Sequence, residues 1–255
     1  MTHSPPPNHF NGKRVSDHLK EARLRAAQAS EEIHGTEMSG HLAAAADSAK
    51  NSSLSLFLLW IILKQAGLSF PQLFLLLALF SCGSVIWMVG RSANLGWARL
   101  ERLHRLIEQE RWEIEHHRQT EREELVEMYR SKGFTGKLLE EVVSVLMADD
   151  NRLLQVMVEE ELGLNLEAYE HPLKQGFGAA VGALFATGFS LFGYLIHPPL
   201  GLPLMAGAVF IFAASLSAKA ERNRLIQAII WNVSVGIFAI GAAYFLSQIL
   251  YSASS

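Results

Sequence analysis

The sequence predicts an all-α, polytopic membrane protein with five transmembrane helices and a cytosolic three-helix insert between spans 2 and 3. Half of its 255 residues are hydrophobic, yet 18% are charged and mean hydropathy is +0.18. That composition is too apolar for an ordinary soluble domain and too charged for a bare membrane bundle. The apolar residues also form long uninterrupted blocks, and much of the charge falls between the second and third of them. A net charge of -3 and a pI near 6.4 exclude a globally basic nucleic-acid binder. The single Cys82 excludes an intramolecular disulfide and any Cys-rich zinc module.

Crossing about 30 Å of hydrocarbon takes roughly 20 apolar residues at 1.5 Å each. Residues 70–90, 176–196 and 226–251 contain no charged residue, and the shorter run 202–218 is equally uninterrupted. The first expected span is the least regular. Its strongly apolar part, 54–63, needs the Ala- and Ser-rich stretch from His41 onward to reach crossing length, and that stretch holds Asp47 and Lys50. Three residues apart on a helix, these two can pair and reduce the cost of entering lipid. A buried or interfacial helix that never crosses is the alternative reading of 54–63. The expected organisation is an amino-terminal arm (1–40), spans 1 and 2 (41–90), a polar insert (91–175) and spans 3 to 5 (176–255).

Loop charge sets the orientation. Lys13, Arg14, Lys20, Arg23 and Arg25 lie in the arm, arginines crowd the insert, and Lys219, Arg222 and Arg224 lie between spans 4 and 5; the other connections are nearly neutral. Basic residues mark the cytoplasmic side. Five spans with the amino terminus and insert cytoplasmic and the carboxyl terminus extracytoplasmic satisfy every loop. No apolar segment follows the early charges as a secretory signal would require. Gly178 and Gly182 form one GxxxG, a weak dimer signal in a glycine-rich span.

The insert opens with a run from Ala98 to about Arg130 that lacks Gly and Pro and is dense in helix formers. Two further helices are expected over 137–148 and 152–162, the last stopped by Gly163. On the first helix, Glu110, Glu113, Glu121 and Glu124 share an arc of about 80° that Arg111, Arg118 and Arg122 avoid. Like charges at this spacing repel unless a cation lies among them. Glu110 and Glu124 would be about 21 Å apart along one straight helix. Several ions, or a folded-back partner helix, are therefore needed to use all four. Met157 and Glu161, four apart, are candidate additional ligands, the thioether favouring transition metals over calcium or magnesium. A solvated, arginine-laced hairpin is the competing reading.

These features resemble the vacuolar iron transporter family. The similarity runs from about Gly83 to Tyr251 and is clearest in Arg122–Phe134 (REELVEMYRSKGF) and in VMVEEELGLNLEAYEHP, which begins at Val156. The resemblance implies a cytosolic metal-binding domain that collects divalent ions before they enter a pore between two protomers. It also implies metal ligands at Glu110, Glu113, Glu121, Glu124, Met157 and Glu161. A second family methionine is Val158 here. The membrane half departs further: relatives carry an Asp-Gly motif in the first span and often a glutamate in the second, whereas here Asp47 precedes Ser48 and residues 70–90 hold no acid. Intramembrane carboxylates mark ion paths, so Asp47 is the one candidate pore residue. In the arm, Glu32, His34 and Glu37 suit no single regular face, and a solvated helix-and-loop reading is preferred there.

The resemblance implies export or sequestration of Fe2+ or Mn2+ from the cytosol by a homodimer in a lipid bilayer, driven by proton exchange if the family mechanism holds and without enzymatic chemistry. A membrane-anchored metal buffer or sensor, and a structural protein whose hairpin recruits a partner helix, are the alternatives.

Overall fold

The computed structural model describes residues 15–30, 40–163, 170–220 and 223–254. These residues are almost entirely helical, without a strand among them. In chain order the helices are α1 (Val15–Ser30), α2 (Gly40–Gln65), α3 (Phe70–His116), α4 (Arg118–Ser131), α5 (Gly136–Met147), α6 (Asp150–Val156), a π-helical turn (Met157–Glu161), α7 (Pro172–Ile196), α8 (Gly201–Ala220) and α9 (Leu225–Ser254). They belong to two compact units: unit 1 from Met1–Ile33 and Ala98–Tyr169, unit 2 from His34–Trp97 and Glu170–Ser255.

Unit 2 is organised around α2, which packs against α7, α8 and α9. Its buried positions are mostly small: Ala44, Ala46, Ser48, Ala49, Ser52 and Ser53. In lipid, where the solvent is itself apolar, helices associate by close van der Waals contact, and small residues permit it. The tightest approach uses the Gly178 and Gly182 pair of α7. A Cβ there would lie 2.0 Å from the His41 carbonyl oxygen and 1.9 Å from that of Ala45. The GxxxG thus serves packing within one chain, against α2. Polar side chains inside the bundle satisfy themselves locally: Ser53, Thr187 and Ser190 donate to the carbonyl four residues earlier at 2.7–2.8 Å. At the start of α2, Glu170 accepts hydrogen bonds from the His41 backbone N–H at 2.8 Å and ring Nδ1 at 2.7 Å. A carboxylate there answers the positive end of the helix dipole.

Four helices, α3, α7, α8 and α9, are long and apolar enough to cross a membrane. They leave Phe177, Phe185, Phe212, Trp231 and Phe238 exposed, an apolar surface that water would not tolerate on this scale. The chain is that of an integral membrane protein. Helix α2 is 26 residues long but is not one of the four, because Asp47, Lys50, Asn51 and several serines dilute its first half. Asp47 is exposed there; its carboxylate accepts from Asn51 at 3.1 Å and lies 3.9 Å from Arg91, a different partner from the Lys50 that helical spacing suggested.

Unit 1 is held by an apolar cluster of Leu19, Ile114, Leu125, Met128, Leu139, Val143, Leu153 and Met157. Asp149 caps α6, accepting the Arg152 backbone N–H at 2.8 Å. The chain then widens into the π turn, closed by the Leu162 N–H donating to the Met157 carbonyl at 3.2 Å, and Gly163 exits at φ +67°. One expectation changes. The run from Ala98 to Arg130 is not a single helix, since α3 continues from the apolar segment to His116 and a break at His117 precedes α4.

The tight α2–α7 contact predicts that Gly182→Val lowers thermal stability in detergent by about 3 kcal/mol, the upper range for overpacking. Gly188→Ala, where an added Cβ meets open space, changes it by less than about 1 kcal/mol. Thermal unfolding followed by circular dichroism checks both.

Candidate metal centre

Four glutamates from three elements converge in unit 1: Glu110 on α3, Glu121 and Glu124 on α4, and Glu161 on the π turn. Their exposures are 5%, 0%, 1% and 3%. The break at His117 makes this convergence possible. One straight helix would hold Glu110 and Glu121 about 16 Å apart along its axis. At His117 the backbone leaves helical geometry (φ −127°, ψ 35°), and carboxylate oxygens of Glu110, Glu121 and Glu161 come within 4.8 Å of one another. The break is supported on both sides. Ile114 before it packs in one cluster with Leu125 and Met128 after it, and the Trp112 ring stacks on His116 at 4.5 Å and meets His117 edge-on at 5.4 Å. The break at His117, with Glu161 brought in from the π turn, is thus what gathers the glutamates.

The electrostatics of this cluster disfavour its full ionisation unless a cation lies among the carboxylates. Burial, and then the charge of neighbouring Glu161, raises the carboxyl pKa of Glu110, Glu121 and Glu124 well above the ordinary 4.5; Glu113 adds to each shift, while a hydrogen bond with Glu110 pulls that of Glu121 partly back. Among the described residues, no donor reaches either oxygen of Glu121 or Oε1 of Glu110. These two carboxyl groups can hydrogen-bond each other only when one carries a proton. Among the described residues, arginines instead serve the outer face: Arg118 binds Asp150 at 2.6 Å and Arg122 binds Glu140. Hard or borderline divalent ions are the partners that buried carboxylates suit.

Glu113 is half-buried, lines the same small cavity as His18, Glu110 and Glu161, and accepts from Gln109 at 2.9 Å. Met157 is wholly buried in the apolar cluster, at the start of the π turn that ends at Glu161. Asp47 belongs to unit 2. Glu32, His34 and Glu37 lie outside the described residues.

The sequence reading missed His18. It treats the arm as solvated, yet α1 places His18 Nε2 3.7 Å from Glu124 Oε1, with the His18 side chain only 14% exposed. Donor atoms of His18, Glu124 and Glu161 lie within 4.8 Å of one another. A signal was present: Val15, Leu19 and Ala22 repeat at helical spacing, and His18 stands on that same apolar face. Leu19 enters the main cluster and Ala22 packs with Leu103, Val158 and Leu162.

A model of the VIT family matches residues 97–248. That range contains Glu110, Glu113, Glu121, Glu124, Met157 and Glu161, and it excludes α1 and α2 with His18 and Asp47. No curated protein gives a significant match.

The raised carboxyl pKa values fix a pH dependence. Above about pH 4.5, the value in the unfolded chain, the folded cluster holds protons that the unfolded chain has lost, so its contribution to stability falls as pH rises. Glu121→Gln removes one buried charge. In chelator-treated protein it is predicted to unfold at a higher temperature than wild type, with a gap that widens from pH 5 to pH 8 and reaches about 1–3 kcal/mol. Excess Mn2+ reverses the order, because only the wild type keeps the full set of ligands. Thermal melts with and without metal across that range measure both effects.

Proposed function

This chain belongs to the VIT family, and on that premise we propose that it carries a divalent transition-metal ion, Fe2+ or Mn2+, out of the cytosol across its membrane. The observation that carries the reading is the set of buried glutamates, with both oxygens of Glu121 unsatisfied by any donor among the described residues. Several kcal/mol of desolvation per buried charge persist only where something offsets them, and a divalent cation does. Glu110, Glu121 and Glu161 form the inner ligand set, with Glu113 at the mouth of the cavity and Glu124 beside it. Met157, one turn before Glu161, biases the site towards transition metals.

Capture displaces protons, since carboxyl groups with raised pKa must ionise to bind metal. That gives ion capture a direct link to proton movement, and proton exchange supplies the drive. In this reading α2 is the fifth span. Its 26 residues reach about 39 Å as a helix, and it packs among α7, α8 and α9, three helices of spanning length. The amino terminus and unit 1 face the cytosol and the carboxyl terminus faces away, following the basic loops. Asp47, exposed on α2 in a single protomer, faces an ion path between two protomers of a homodimer. The protein acts as a carrier and catalyses no covalent step.

A membrane-anchored metal buffer is the second reading. It is favoured by the absence of any acidic residue from 70–90, which leaves the path with few stations.

Proteoliposome uptake of Fe2+ and Mn2+ decides between the two. Transport predicts wild-type flux, a loss of at least about tenfold in Glu113→Ala/Glu121→Ala through weakened capture, and a comparable loss in Asp47→Asn with metal binding retained. Binding without flux in the wild type selects the buffer, and unchanged metal affinity in the double variant removes the ligand assignment.

A further inference from the structure

Helix α1 is built into unit 1 by one face. Leu19 and Ala22 enter its apolar clusters. Arg23 donates from Nε to the Glu161 carbonyl at 3.1 Å and from Nη2 to the Glu160 carbonyl at 3.0 Å. Those carbonyls close the π turn, where the helix has run out of its own donors, so Arg23 acts as a C-terminal cap supplied from a distant part of the chain. His18, four residues before Ala22, is carried by the same face onto Glu124 and Glu161.

We infer that His18 Nε2 is a metal ligand that, with Glu124 and Glu161, completes a second cation position for a borderline divalent transition metal, sharing Glu161 with the Glu110 and Glu121 position. The inference rests on reading the glutamate cluster as a metal site. Its geometry is near coordination: donors on a tetrahedral shell of about 2.0–2.2 Å stand roughly 3.4 Å apart, and here the three donor atoms lie within 4.8 Å, with the His18 to Glu124 distance at 3.7 Å. The adjoining wholly buried Glu121, whose two oxygens no donor among the described residues reaches, is an independent sign that the cluster is built around cations. Chemistry sets the ligand class. All-oxygen cages suit calcium, magnesium and manganese, whereas an imidazole nitrogen moves preference towards iron, cobalt, nickel and zinc. The amino-terminal helix thereby supplies the nitrogen that the glutamates lack, and it makes the arm part of the selectivity of capture.

A merely structural His18 would form an ion pair with Glu124 and nothing more, so the test must see the bond to metal. Full-length protein in detergent, with the only cysteine removed by Cys82→Ser, is titrated with Co2+ as the probe. His18→Ala is expected to weaken Co2+ binding by at least about tenfold, as loss of even a supporting group can, while Ca2+ affinity moves less than twofold. His18→Cys is expected to show a thiolate-to-cobalt charge-transfer band in the near ultraviolet that disappears on adding Glu124→Gln. If His18→Ala loses helical structure, the band in His18→Cys decides alone, because it is a gained signal. Absence of the band, or Co2+ affinity unchanged in His18→Ala while Glu121→Gln lowers it, overturns the role of His18 and leaves the glutamate site standing. Wild type that binds no Co2+ overturns both.

Discussion

Burial of several carboxylates with too few protein donors is the constraint on which unit 1 depends. Glu110, Glu121, Glu124 and Glu161 are each at most 5% exposed, and no lysine or arginine pairs with Glu110 or Glu121 among the described residues. An isolated buried ion costs several kcal/mol even after relaxation, so such a cluster has to be carried by stability gained elsewhere or relieved, by protons or by a bound cation. The surrounding residues supply the first. Eight well-buried apolar side chains lock α1, α3, α4, α5, α6 and the π turn around the site, and their cohesion pins the glutamates at distances mutual repulsion would otherwise widen.

Backbone irregularities fall where that constraint acts. The break at His117 forgoes continuous helix to bring Glu121 and Glu124 back towards Glu110. The π turn at Met157–Glu161 adds a residue to a helical turn and leaves carbonyls that Arg23 caps. Each departure weakens local hydrogen bonding by about 1 kcal/mol. Both place a glutamate in the cluster, which agrees with the tendency of π turns to occur at functional positions.

Unit 2 obeys a different physics. Where α2 meets α7 its interior is mostly alanine, glycine and serine, because in lipid the association of helices depends on close approach and not on the exclusion of water. Gly178 and Gly182 let α7 touch the α2 backbone, and hydroxyls turn inward onto their own helices. Many large aromatic side chains, Phe177, Phe212, Trp231 and Phe238 among them, are exposed, whereas Trp60 and Tyr194 pack inside with Leu56 and Leu77.

The apolar blocks and charge asymmetry were legible in the sequence because they depend on local composition: four of the expected spans coincide with the helices long and apolar enough to cross. Periodicity likewise exposed the glutamate arc, since residues three and four apart share a face whatever the helix packs against. Neither local pattern could locate the break at His117, which sits in a run of good helix formers and exists because Ile114, Leu125 and Met128 must enter one core. Nor could it bring His18 to Glu124 across more than a hundred positions of sequence, or direct the GxxxG inward to α2 instead of outward to a partner. Sequence by itself determined which segments are helical and which side chains carry chemistry, through composition and helical period. Only tertiary structure decided which of those side chains meet, because long-range apolar packing selects the contacts.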